Sequence, residues 1–168
     1  MFDVNAIRRD FPMIRNHPEL IYFDNGATTY KPDQVISAIN DFYLNFTSNV
    51  ERGDYDTAVH ADRAYMNTRR IISRLIHCDP REVVFTSNIT AALNQIAFGL
   101  DRMILQKGDT VLISYAEHAS NVLPWFRLKK EKGIQIRYIP LDRQGNIDLN
   151  GLKEMLDHSV KIISVAYQ

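Results

Sequence analysis

The chain has 168 residues, one domain's worth, and 45% of them are hydrophobic, an ordinary share for a globular protein. Its 20 basic and 20 acidic residues cancel, which leaves no electrostatic footprint for nucleic acid or an anionic membrane. A single cysteine, Cys78, excludes an internal disulfide framework and suits a reducing, cytoplasmic setting. The apolar runs are far short of a bilayer span, and MFDVNAIRRDF does not read as a signal peptide.

In chain order, Asp3 can cap a short helix through Val4–Asp10, which Pro12 closes. A brief strand is expected at Leu20–Phe23, then the small-residue turn Asp24–Thr29, then Lys31–Pro32. The following helix, Asp33–Phe46, sets Val35, Ile36, Ile39, Phe42, Tyr43 and Phe46 largely on one stripe. This divides the chain into an N-terminal helical segment, residues 1–20, and the first part of a larger domain, residues 21–168. The turn can bring backbone close to a ligand, or it can be a plain strand-to-helix connection. A charged loop around Arg52, Gly53 and Asp54 leads to a long helix, Asp56–His77, with Val59, Met66, Ile72, Leu75 and Ile76 apolar. Arg52 and His60 are candidate functional residues, although such positions are more often simply solvated. Cys78 reads as a helix-end residue without an activating neighbour.

The stretch Glu82–Leu100, EVVFTSNITAALNQIAFGL, carries the strongest local signal. Val83–Phe85 reads as a buried strand, Thr86, Ser87 and Asn88 as capping residues, and Ile89 onward as a helix. A strand that delivers the chain into a polar turn and a helix N-terminus makes an anion site. The free N–H groups and the positive end of the helix dipole point at the ligand. Thr90 would add a hydroxyl. By pattern alone, an ordinary capped loop with no ligand is the commoner explanation.

Strands follow at Thr110–Ser114, Ile134–Ile139 and Val160–Tyr167. The helices between them start at Ser120 or Asn121 and end before Gly133, and run over Leu149–Leu156. This alternation predicts an α/β fold with a parallel sheet, a three-layer αβα arrangement covered on both faces. Gln168 falls at the carboxyl end of a strand, where the ligand crevice of an open parallel sheet should be built. The chain therefore reads as part of a larger fold.

Four stretches fall together in the order and spacing of one family: YFDNGATTYKP at Tyr22–Pro32, FTSNITAALN at Phe85–Asn94, EHASNVLPW at Glu117–Trp125 and PLDRQGNIDL at Pro140–Leu149. From about Tyr22 to Gln168 the chain resembles the N-terminal part of cysteine desulfurases and selenocysteine lyases of the class V aminotransferase group. These are fold-type I enzymes that use pyridoxal 5′-phosphate (PLP).

The resemblance implies a phosphate cradle at Ile89 and Thr90, and a histidine, His118, that stacks on the cofactor ring and assists proton transfer. It implies that Asn25, Gly26 and Ala27 border the substrate. It also implies that Arg52 lies on a loop directed at a neighbouring subunit, hence a homodimer. Cysteine is the implied substrate, with a sulfur-acceptor protein as a possible partner. The departures are Asn88, Ile89 and Ala91 in the cradle, Asp54 and Tyr55 after Gly53, and Ala119 where a second histidine is usual. They leave open another class V enzyme acting on a different amino acid. The family's Schiff-base lysine, nucleophilic cysteine and substrate arginine match no residue here. The chain by itself is thus expected to be inactive, and a non-catalytic fragment is a further alternative.

Overall fold

The computed structural model describes residues 3–166, and the chain divides after Val83 into two units. In the first unit, Asp3 accepts the backbone N–H groups of Asn5 and Ala6 and caps α1 (Val4–Arg9). Pro12 does not simply close this helix. It opens a second, α2 (Pro12–Asn16), because a proline in the first turn gives up no N–H that the helix needs. Arg15 pairs with Asp33 at 2.6 and 3.1 Å, and the Asp33 N–H donates to Asp10 O at 2.8 Å. These bonds fasten the N-terminal helices to the start of α3 (Asp33–Asn45). The long helix α4 spans Asp56–Leu75, two residues short of expectation, because His77 turns into the left-handed region at φ 55°.

Two expected strands are absent among the described residues. Leu20–Phe23 is irregular, with Ile21 and Phe23 exposed. Tyr22 donates its hydroxyl to Asp24 O and Thr28 O and stacks on Tyr30 at 4.3 Å, so its side chain holds the turn. Val83–Phe85 likewise forms no strand and follows a 3-10 turn at Pro80–Glu82 capped by Asp79. Apolar, β-branched composition makes a segment fit for a strand, but its N–H and C=O groups need a neighbouring strand. The described residues supply none here. The apolar stripe of α3 is present in sequence, yet none of the helix's residues is buried.

In the second unit, Asn88 caps α5 (Ile89–Met103) by accepting from the Ala91 N–H at 2.8 Å. Then come β1 (Thr110–Ser114), α6 (Ala119–Lys132), β2 (Gln135–Ile139), α7 (Leu149–Met155) and β3 (Val160–Ser164). The sheet is parallel with order β2-β1-β3. Every residue of the central strand β1 is buried, which is why TVLIS reads as continuous rather than alternating. Val111 and Ile113 join Ala97 and Leu105 near α5, Trp125 and Leu128 of α6, and Ile134 in one hydrophobic cluster. Gly133 stops α6 at φ 77°, a left-handed cap that a β-carbon would strain. Ile136 and Tyr138 of β2 and Ile162 of β3 pack against the cluster's edge. The α/β fold with a parallel sheet expected from the alternation is thus present, with three strands among the described residues where the alternation predicted four.

Candidate active site

The chain leaves β1 toward β2 and then passes back over β1 to reach β3, so the connections reverse direction beside the central strand. Ligands of open parallel sheets bind outside the carboxyl ends of the strands at such a reversal. Two features of the sequence meet there. One is the segment after β1, residues 115–118, which carries Glu117 and His118. The other is the end of β3, Ser164–Ala166. Between them and the start of α5 lies a cavity of about 330 Å³. It is lined by Ile89 and Leu93 of α5, by Glu117, His118 and Asn121, and by the end of β3.

Glu117 is the hub of this end of the sheet. Its carboxylate accepts from the Ser114 hydroxyl at 2.6 Å, from Asn121 Nδ2 at 2.7 Å and from the Ala166 N–H at 2.9 and 3.0 Å. Asn121 in turn accepts from the Ser164 hydroxyl at 2.5 Å. Burial of the carboxyl works to raise its pKa, but the bonds from Ser114, Asn121 and Ala166 outweigh it and hold the group below its ordinary value. The last residue of β1, the chain just beyond β3 and the first turn of α6 are therefore tied through one anion. Sequence reading missed Glu117. The only available signal was its place between a strand end and the candidate His118.

His118, not Ser120 or Asn121, caps α6. Its Nδ1 accepts the Ser120 N–H at 3.1 Å, and the Ser120 hydroxyl lies 2.6 Å from the same nitrogen. An imidazole can take this role because an unprotonated ring nitrogen is an acceptor, as the oxygen of a serine or aspartate cap is. The ring is exposed and lines the cavity. At the start of α5 the Asn88 side chain satisfies the Ala91 N–H, and the Ala92 N–H bonds to Asn88 O. The N–H groups of Ile89 and Thr90, and the Thr90 hydroxyl, have no hydrogen-bond partner among the described residues. Ile89 lines the cavity, and Thr90 is exposed on the same helical turn. Free donors at the positive end of a 15-residue helix suit an anion, and an imidazole face beside them suits a flat ring.

The other candidate residues belong to the first unit. In the Asp24–Thr29 turn the N–H groups of Ala27 and Thr28 donate to Asp24 O, and Thr29 donates its hydroxyl to Asn25 O. A β-carbon added at Gly26 would meet nothing within 4 Å, so the space above that backbone is unclaimed in the structure. Asn25 and Thr29 line a cavity of about 270 Å³ together with Arg8, His17 and Tyr22. Arg52 is exposed and has no bonded partner among the described residues. Beside it, a β-carbon at Gly53 would stand 2.5 Å from the Tyr55 ring and 3.0 Å from the Ala58 β-carbon, so the Tyr55 side chain would have to shift. His60 packs its ring 4.1 Å from that of Phe46. Cys78 is half-buried, with its N–H on Ser73 O. Among the described residues no group of His, Cys, Asp and Glu side chains could hold a metal ion. No helix among them is long and apolar enough to cross a membrane.

The aminotransferase class-V family model matches residues 21–168. A cysteine desulfurase of Haloferax volcanii is 35% identical over 98% of this chain and 43% of its own length. The apo structure of a cysteine desulfurase from Thermococcus onnurineus superposes with TM-score 0.89 at 34% identity, over 98% of this chain and 40% of that one. A crystal structure of an Escherichia coli cysteine desulfurase superposes with TM-score 0.83 at 29% identity, over 97% and 41%. The chain spans about two fifths of the length of these relatives.

Proposed function

The chain belongs to the aminotransferase class-V family, and from that premise we propose that it forms the N-terminal portion of a PLP-dependent cysteine desulfurase. The reaction would remove sulfur from L-cysteine, leaving alanine and a persulfide on an enzyme cysteine. The observation that carries the proposal is the cavity at the carboxyl ends of β1 and β3, where His118 faces the start of a helix with unpaired donors. The relatives' names support cysteine as substrate. The departures at Asn88, Ala91 and Asp54 keep selenocysteine, or a different amino acid, as the alternative.

These residues fit the cofactor by their chemistry. The N–H groups of Ile89 and Thr90 and the Thr90 hydroxyl would hold its phosphate, aided by about half a positive charge from the α5 dipole. The His118 imidazole would lie against its ring. When bound, PLP supplies an electron sink for bonds broken at the substrate Cα. His118 would orient that ring and hold or move a proton at its free nitrogen. Glu117 keeps the His118 segment fixed to the ends of β1 and β3. Asn25, Gly26, Ala27 and Arg52 remain candidates for the substrate side, with Arg52 directed to a second copy in a homodimer. A sulfur-acceptor protein would take the outer sulfur of the persulfide and return the enzyme thiol, and the cytoplasm is the proposed location.

The test is to purify the polypeptide that carries these residues from its source cells, compare its intact mass with 19.4 kDa, and assay it with L-cysteine and excess dithiothreitol, which reduces the persulfide and releases its outer sulfur as sulfide. Alanine and sulfide formed in equal amounts are expected from a heavier, cofactor-bearing species. A PLP-bearing species that leaves L-cysteine unchanged but turns over another amino acid would overturn cysteine as the substrate.

A further inference from the structure

We propose that Ser120 is a positioning residue that fixes His118 in a single tautomer, with the ring proton on Nε2, so that Nε2 is the nitrogen available in the cavity. Two groups of Ser120 converge on Nδ1. The backbone N–H stands at 3.1 Å and the hydroxyl at 2.6 Å. A hydroxyl can turn either way, but a backbone N–H only donates, so Nδ1 must keep its lone pair. In the neutral ring the proton then has one remaining place, Nε2. Protonating Nδ1 would set two donors head to head and leave the Ser120 N–H, on a residue only 8% exposed, without its acceptor. Nε2 itself has no partner among the described residues, and the ring lines the cavity.

The same bonds explain why the ring stays in place. Its Nδ1 is part of the α6 cap, and α6 is anchored by the buried Trp125 and Leu128. Turning the ring over would cost the helix its cap, so tautomer and orientation are set together. His118 would therefore meet a ligand in the cavity as an Nε2–H donor, not as a proton acceptor at that nitrogen. This consequence rests on the proposed function, whereas the tautomer does not.

Nitrogen-15 NMR of the full chain, with labelled histidine and without cofactor, tests the assignment. His118→Asn identifies the resonances by their disappearance. With the ring neutral, Nδ1 is expected at the position of an unprotonated nitrogen and Nε2 at that of a protonated one. Ser120→Ala keeps the N–H and should keep this pattern. Ser120→Pro removes both donors within the first helical turn, where proline is tolerated, and should release a readily detected Nδ1–H population. A proton on Nδ1 in the unmodified chain would overturn the proposal, even if Ser120→Pro failed to fold. So would an unchanged pattern in a folded Ser120→Pro chain. Absence of cysteine turnover would count against the proposed function and leave this result standing.

Discussion

Removing the Glu117 carboxylate should loosen the cavity end of the sheet measurably. Glu117→Ala takes the acceptor from the Ser114 hydroxyl and the Asn121 amide, on residues only 4% and 8% exposed. A buried donor left unpaired costs roughly 1–3 kcal/mol. Glu117 is itself only partly buried, and water can reach the Ala166 N–H, so the lower half of that sum is appropriate. The expected loss is about 2 kcal/mol, or about 1 M in urea midpoint for a slope of about 2 kcal/mol per M. Equilibrium urea unfolding at pH 7, followed by far-ultraviolet circular dichroism, would measure it. Glu117→Gln should lose a similar amount at pH 7, because its amide turns one donor toward another. The carboxyl's folded pKa lies below its ordinary 4.5, so its contribution is complete above that value and declines as pH falls through the lowered one. The gap between the Glu117→Gln chain and the unmodified chain should then close in acid. Equal midpoints at pH 7 would refute the network as a source of stability.

Three further outcomes follow from the same geometry. His118→Ala should destabilise the second unit by roughly 1 kcal/mol through the lost cap, and His118→Asp should restore thermal stability while leaving no ring for the cavity. Thr90→Val, which keeps shape and removes a hydroxyl, should weaken PLP binding by about tenfold, one charge-assisted hydrogen bond. A titration of cofactor absorbance in the cofactor-bearing polypeptide measures it, and an unchanged affinity would remove Thr90 from the cradle. Asp157 is held at a pKa of about 2 by the Ser159 hydroxyl and Arg137, down from 3.8. Its stabilisation is present above 3.8 and lost as pH falls through about 2. Urea midpoints of the unmodified chain and Asp157→Asn should therefore differ at pH 6 and converge near pH 2.

What the sequence determined by itself was mostly local. The Asn88 cap, the Gly133 stop and the strand at Thr110–Ser114 each follow from the residues' own backbone or side-chain preferences, and each formed where expected. The four motif stretches were enough to place the chain in its family, because their order and spacing survive whatever surrounds them. Tertiary structure decided the rest. Leu20–Phe23 and Val83–Phe85 have strand-like composition, but a strand exists only beside another, and pairing is not written in a segment's own residues. His118 was legible as a candidate through the resemblance. Its role as the α6 cap was not, because histidine is a rare cap and the bond depends on a ring turned back on Ser120. Glu117 joins residues 114, 121 and 166. An anion's partners spread over fifty positions become neighbours only once β1 and β3 lie side by side.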